Sequence, residues 1–195
     1  MSRDESAASW YHPASPPHLS GSLTGVRLDT DLSPEEIRDY LNRYLPDAIA
    51  VREVKEAGER FHARYNALGK TYRYTCFDGP VKPVFDRKYV TMLDFHPDLE
   101  RMQRAAALLT GEHDFMSFCG NPRMKKSTVR LVDSITVERR HDRIIFTFHG
   151  TGFLQNMVRI LVGTLLEIGR GRWEPEYVLD LLAARDRKLA GPTAP

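Results

Sequence analysis

LVDSITVERRHDRIIFTFHGTGFLQNMVRILVGTLLEIG (Leu131–Gly169) decides the fold class. Its first half reads as a hairpin, with strands over 131–139 and 143–149 joined through Arg140-His141-Asp142. The remainder, Gly152–Gly169, is apolar almost all round. A helix with no polar face belongs in the centre of a core. A hairpin followed by a buried helix predicts an α+β fold, helices packed on a mostly antiparallel sheet.

The same reading extends in both directions. Ser33-Pro34-Glu35-Glu36 is a capping box with proline at the first helical position. Ile37, Tyr40, Leu41 and Tyr44 then recur at helical spacing, so 34–45 is an amphipathic helix ended by Pro46. Residues 48–56 and 70–77 read as strands. In the second, Tyr72, Tyr74 and Cys76 share one face and Thr71, Arg73, Thr75 and Phe77 the other. A strand near 86–92 leads to a helix at 98–109, with Leu99, Met102, Ala106 and Leu109 inward and Gly111 as its stop. A last helix starts at Pro175 and runs through Val178, Leu181 and Leu182. Residues 5–27 have no period of 2 or 3.6, and 1–27 is expected to be disordered.

Composition narrows the class. The 195 residues, 42% hydrophobic and 10% aromatic with 12 prolines, exclude a coiled coil and a wholly disordered chain. No apolar run is long enough for a membrane span, and the residues after Met1 do not read as a secretory signal. Cys76 and Cys119 have no metal-ligand spacing and fit a reducing compartment, so the chain reads as cytoplasmic. Residues 1–58 carry 6 Lys/Arg against 10 Asp/Glu, whereas the remainder carries 22 against 16. The excess gathers in 60–88 (7 against 2) and 121–143 (7 against 3), beside Tyr65, Tyr72, Tyr74 and Phe77. Clustered cations among aromatics suit a polyanion-binding face, though such runs also serve as solvated surface.

Arg159 is the sharpest chemical clue. It stands among Met157, Val158, Ile160, Leu161 and Val162, where a bare charge is costly. Glu167 lies about 12 Å further along the axis, out of reach. Either a carboxylate or phosphate from elsewhere meets the guanidinium, or the side chain snorkels to the surface. His62 with Arg64, and His113 with Asp114, are further candidates without zinc-site spacing. Neighbours such as His113 and Asp114 point apart, which favours a turn role over a catalytic pair. Gly150-Thr151-Gly152 is too short for a phosphate loop and reads as a hairpin exit. Tyr72 and Tyr74 either stack on bases or pack in the core.

Four ordered blocks carry a family resemblance: Phe61-His62-Ala63-Arg64-Tyr65, Lys70-Thr71-Tyr72-Arg73-Tyr74, Glu112-His113-Asp114-Phe115-Met116-Ser117-Phe118, and Gly152–Gly163. Together they resemble the tRNA pseudouridine synthase A family, as do Leu45–Val51 and Ala190–Ala194. The resemblance covers 28–195, read as the end of a first domain half plus most of an RNA-binding and catalytic second half, with 1–27 as a non-family segment. It implies a pseudouridine-synthase-like fold and isomerisation of uridine to pseudouridine in the anticodon stem-loop. It also implies tRNA as partner, a homodimer, and no cofactor or metal. The uridine is flipped out of the stack, its N1–C1′ bond is broken by a nucleophilic aspartate, and the uracil is turned and rejoined through C5. By position, Tyr72 resembles the residue packed on the target uracil, and Arg159 the arginine paired with that aspartate. His62, Arg64, Lys70 and Arg73 are expected to contact RNA.

One departure stands out. The family places its nucleophile in Gly-Arg-Thr-Asp-x-Gly-Val-His-Ala, shortly before the segment matching Leu28-Asp29-Thr30-Asp31. Here that place holds Ala14-Ser15-Pro16-Pro17-His18-Leu19-Ser20-Gly21-Ser22-Leu23-Thr24-Gly25-Val26. Asp29 and Asp31 match the residues after the catalytic strand. The expectation is a family member truncated at both ends and lacking its nucleophile. The alternative is a non-catalytic RNA-binding fragment or paralogue.

Overall fold

The computed structural model describes residues 6–7 (main chain only), 23–63, 65–121 and 123–195. The chain divides into two compact units, Met1–Ala67 and Leu68–Pro195. The disorder expected of 1–27 falls mostly outside the described residues. Ser6–Ala7 (β1) pairs antiparallel with Arg27–Leu28 (β2), forming a two-stranded sheet apart from the main one.

In the first unit, helix α1 (Pro34–Tyr44) starts as its sequence requires. Glu36 N–H donates to Ser33 Oγ at 3.3 Å, and Ser33 N–H donates to Glu36 Oε2 at 2.8 Å. That main-chain bond from Ser33 holds the Glu36 carboxyl below its ordinary range. Ile37 is buried with Val51 and Val54, and Leu41 packs on them. Tyr40 and Tyr44 do not join this core; they are exposed, with their rings 4.8 Å apart.

The strand expected over 48–56 does not form. Asn42 takes the place of a ladder partner: its Nδ2 donates to the Val51 carbonyl at 2.8 Å, and Val51 N–H donates to its Oδ1 at 2.7 Å. A side-chain amide satisfies both main-chain groups, so the segment stays extended without a neighbouring strand.

The second unit is a five-stranded sheet of order β4-β3-β7-β6-β5. Its members are β3 (Lys70–Phe77), β4 (Thr91–Met92), β5 (Gly111–Asp114), β6 (Val129–Arg140) and β7 (Arg143–Gly150). All pairings are antiparallel except β3 with β4. The strand expected near 86–92 shrinks to Thr91–Met92. Residues 83–89 are successive turns, with Asp86 N–H donating to Pro83 O and Tyr89 N–H to Asp86 O.

Register sets the core. Tyr72, Tyr74 and Cys76 of β3 lie opposite Phe148, Phe146 and Ile144 of β7, and Phe148 and Phe146 lie opposite Ile135 and Val137 of β6. Helices α2 (Leu99–Leu108) and α3 (Met157–Gly169) cover that apolar face. Asp98 caps α2 by accepting from Arg101 N–H at 3.1 Å, and Met102, Ala105, Ala106 and Leu109 are buried beneath it. In α3, ten of thirteen residues are buried, as an all-round apolar sequence demands. A shorter helix, α4 (Tyr177–Ala184), adds Val178 and Leu181 to the same core. Among the described residues no helix is long and apolar enough to cross a membrane.

Cys76 sits in this core, and burial, helped by the nearby Asp78 charge, pushes its thiol up to about 12 from an ordinary 9.0. Its folded value is raised, so the stability it contributes is full below pH 9 and is lost as pH rises toward 12. Two outcomes follow. The native thiol should resist alkylation at pH 8 while the denatured chain reacts within minutes. The stability difference between the parent chain and Cys76→Ala should narrow as pH rises above 9. Rapid native labelling of Cys76 would contradict its placement.

Candidate functional site

Asn156 opens helix α3 in the left-handed region, at φ 57° and ψ 8°, and its side chain does not cap the helix. Its side-chain oxygen instead accepts a long 3.4 Å bond from Arg159 Nη1. Gly120 N–H donates to the Gln155 carbonyl at 2.7 Å, and a Cβ on Gly120 would come within 3.0 Å of the Asn156 amide. A glycine at 120 thus admits the reversal that starts the helix.

This start corrects the mid-helix placement of Arg159. Gly152, Phe153 and Leu154 continue the apolar run yet lie outside the helix, so Arg159 is in the first turn and half-buried. A cation there faces the positive end of the helix dipole, an unfavourable arrangement worth about 0.3–1 kcal/mol. Two acceptors offset it. Arg159 Nε donates to the Ala194 carbonyl at 2.7 Å, and Asn156 supplies the second oxygen. Among the described residues no carboxylate pairs with this guanidinium. Glu167 is engaged elsewhere, accepting from Arg172 Nη1 at 2.6 Å.

Strand β3 supplies the other wall. The Tyr74 hydroxyl is bonded to Thr91 Oγ1 at 2.5 Å and donates to the Pro195 main-chain oxygen at 2.8 Å. Burial pushes its phenol up, the Thr91 bond working against that and the Arg159 charge lowering it. Tyr74 is therefore committed to packing and anchoring. Tyr72, two residues along the same face and so about 7 Å away, is free on one side. Its ring meets Phe153 edge-on, centroids 5.1 Å apart, and it remains 40% exposed. An aromatic that is packed on one neighbour and still exposed is suited to stack on a base.

The remaining expected residues fall in different places. Lys70 begins β3 and is half-buried; Arg73 is exposed on the face opposite Tyr72. His62 belongs to the first unit, where its N–H donates to Asn66 Oδ1 at 2.6 Å and its ring lies 4.2 Å from that of Tyr65. Arg64 lies outside the described residues. His113 and Asp114 do point apart. The His113 ring is bonded to the Thr110 carbonyl at 2.9 Å, while Asp114 accepts from Thr128 Oγ1 and Met116 N–H and meets Arg185 Nε at 3.1 Å. Both serve turns. Among the described residues no group of three His, Cys, Asp or Glu is placed to hold a metal ion.

Sequence reasoning missed Phe153, Asn156 and Ala194. The one available signal was the polar pair Gln155-Asn156 interrupting an apolar run. The second basic stretch adjoins this region at its two ends. The chain from Gly120, which touches Asn156, carries exposed Arg123, Lys125 and Lys126 before Arg130, whose side chain lies 3.7 Å from where a Cβ on Gly152 would be.

Known proteins share this arrangement of sequence. A family model described as tRNA pseudouridine synthase matches residues 105–195, which include α3 and the closing segment. The tRNA pseudouridine synthase A of Brevibacillus brevis is 42% identical over 178 residues, 91% of this chain and 73% of that protein. Those of Geobacillus kaustophilus and Halalkalibacterium halodurans are 43% and 44% identical, each over 91% of this chain and 69% and 68% of their own lengths. The chain belongs to the tRNA pseudouridine synthase family.

The left-handed N-cap gives a direct check. Asn156→Ala should lower stability by about 1–2 kcal/mol, whereas Asn156→Gly should be nearly neutral, because asparagine and glycine tolerate the left-handed region and alanine does not. Equal thermal midpoints for the two variants would contradict the assigned backbone conformation.

Proposed function

We propose that this chain handles a uridine of the tRNA anticodon stem-loop as its family does, with Tyr72 packed on the flipped uracil and Arg159 facing the attacking carboxylate. One observation carries the reading: a guanidinium in a helix first turn, fixed by oxygens and left without a carboxylate partner among the described residues, on the helix that follows Phe153, whose ring packs against the exposed Tyr72. Isomerisation breaks the N1–C1′ bond and remakes the link through C5, so the base must leave its stack and rotate against a wall. Tyr72 and Phe153 provide that wall. Arg123, Lys125, Lys126 and Arg130 are the proposed phosphate contacts, with Lys70, Arg73, His62 and Arg64 as further RNA contacts. Homodimerisation and a cytoplasmic setting belong to the same reading.

Residues 1–195 on their own are proposed to bind RNA without turning it over. The Gly-Arg-Thr-Asp segment has no counterpart in this sequence, and loss of an attacking group commonly costs several orders of magnitude in rate. Incubation with unmodified tRNA, followed by base-specific mapping of pseudouridine, should detect no product. Appreciable turnover would reject the proposal, and Asp29→Ala and Asp31→Ala would then identify the carboxylate responsible.

Binding should weaken as salt rises, with a log–log slope of about −0.7 per single-strand phosphate contact. Tyr72→Phe should retain affinity, whereas Tyr72→Ala should lose about 1–3 kcal/mol, since the ring does the stacking. Equal losses from both would point to the hydroxyl and contradict the stacking role.

A further inference from the structure

Helix α3 carries a feature that base binding does not itself require. A Cβ on Gly163 would collide with the Pro192 carbonyl oxygen and lie 2.9 Å from the Pro192 carbonyl carbon. A Cβ on Gly191 would lie 2.6 Å from Thr164 N. Main chain therefore rests on main chain, a closeness only two glycines permit. Residues 190–195 are fastened at both ends of this crossing. Thr164 Oγ1, buried in the helix, accepts from Gly191 N–H at 3.0 Å. From outside, Arg187 Nη1 donates to the Ala190 and Gly191 carbonyls at 3.4 and 2.9 Å, and its Nη2 donates to Thr193 Oγ1 at 3.0 Å.

Beyond the crossing the segment enters the site. Ala194, 4% exposed, exchanges two bonds with Arg159: its N–H donates to the Arg159 carbonyl at 3.1 Å, and its carbonyl accepts from Arg159 Nε at 2.7 Å. Pro195 then accepts from the Tyr74 hydroxyl.

We infer that residues 190–195 are a strap that positions Arg159, with Gly163 and Arg187 as its seats. The bond at Nε fixes the plane of the guanidinium and leaves its terminal nitrogens, of which Nη1 makes only the long contact with Asn156, directed at an incoming anion. An arginine so held loses less side-chain freedom on binding than a free one. Its neighbours Asn156, Ala194, Gly163 and Arg187 are positioning residues; none is required to touch RNA. The inference rests on the reading of Arg159 given above, and the following measurements separate the two.

The Arg159 Nε–H resonance, assigned by its loss in Arg159→Ala, reports the strap directly through proton exchange with water. RNA affinity, measured with an anticodon stem-loop, reports its consequence. Arg187→Ala removes the outer anchor without opening the core, and Gly163→Ala displaces the crossing itself. Both should accelerate exchange of the Arg159 Nε–H on the order of tenfold or more. Both should also lower RNA affinity toward that of Arg159→Ala, a loss of about tenfold. Arg187→Lys, which keeps a donor for the Ala190 and Gly191 carbonyls, should restore most of each. Unchanged Nε–H protection in Arg187→Ala and Gly163→Ala would overturn the strap. Lost protection with full affinity, where Arg159→Ala itself binds weakly, would overturn its positioning role. Full affinity in Arg159→Ala would reject the prior reading of Arg159, and the strap's function with it.

Discussion

The contact between Gly163 and the Pro192 carbonyl governs the second unit. Helix α3 is apolar on every side, so something must cover the side that the sheet does not. An irregular, proline-containing segment can lie there only if its own main-chain groups find partners. The buried Thr164 hydroxyl, the Arg187 guanidinium and the Arg159 side chain supply them. One close approach therefore completes the core and fixes the cation at its edge.

The sheet's alternation performs a second coupling. Tyr72 and Tyr74 share a face, yet their environments assign them different tasks. Tyr74 sits deeper, opposite Phe146, with its hydroxyl bonded twice. Tyr72 lies nearer the strand's start, opposite Phe148 and at a steep angle to Phe153, and stays exposed. Position along one strand separates an anchored ring from a part-exposed one.

Much of this fold was legible in the sequence because its strongest signals are local. The capping box at Ser33, the β6–β7 hairpin and the apolar run of α3 each depend on neighbours in the chain; the first two formed where expected, and the third formed as a buried helix that starts only at Met157. The misreadings depended on distant partners. The segment 48–56 has strand-like residues, but the main-chain groups of Val51 are bonded to the Asn42 side chain and not to a neighbouring strand. Arg159 seemed to be mid-helix because hydrophobicity does not reveal a left-handed Asn156 stabilised by Gly120. The Ala194 carbonyl left no trace in the sequence at all, since any residue there would present the same oxygen. Tyr72 and Arg159 were singled out by resemblance and by unpaired charge; what orients them came only from the fold.

On the proposed reading, Tyr72 is the base platform and Arg159 the guanidinium that faces the attacking carboxylate. The most direct test is photocrosslinking of an anticodon stem-loop RNA carrying 4-thiouridine at the target position, with the joined peptide mapped by mass spectrometry. The account predicts a crosslink to Tyr72 or Phe153 that disappears in Tyr72→Ala. A crosslink confined to residues away from β3 and the start of α3 would contradict it.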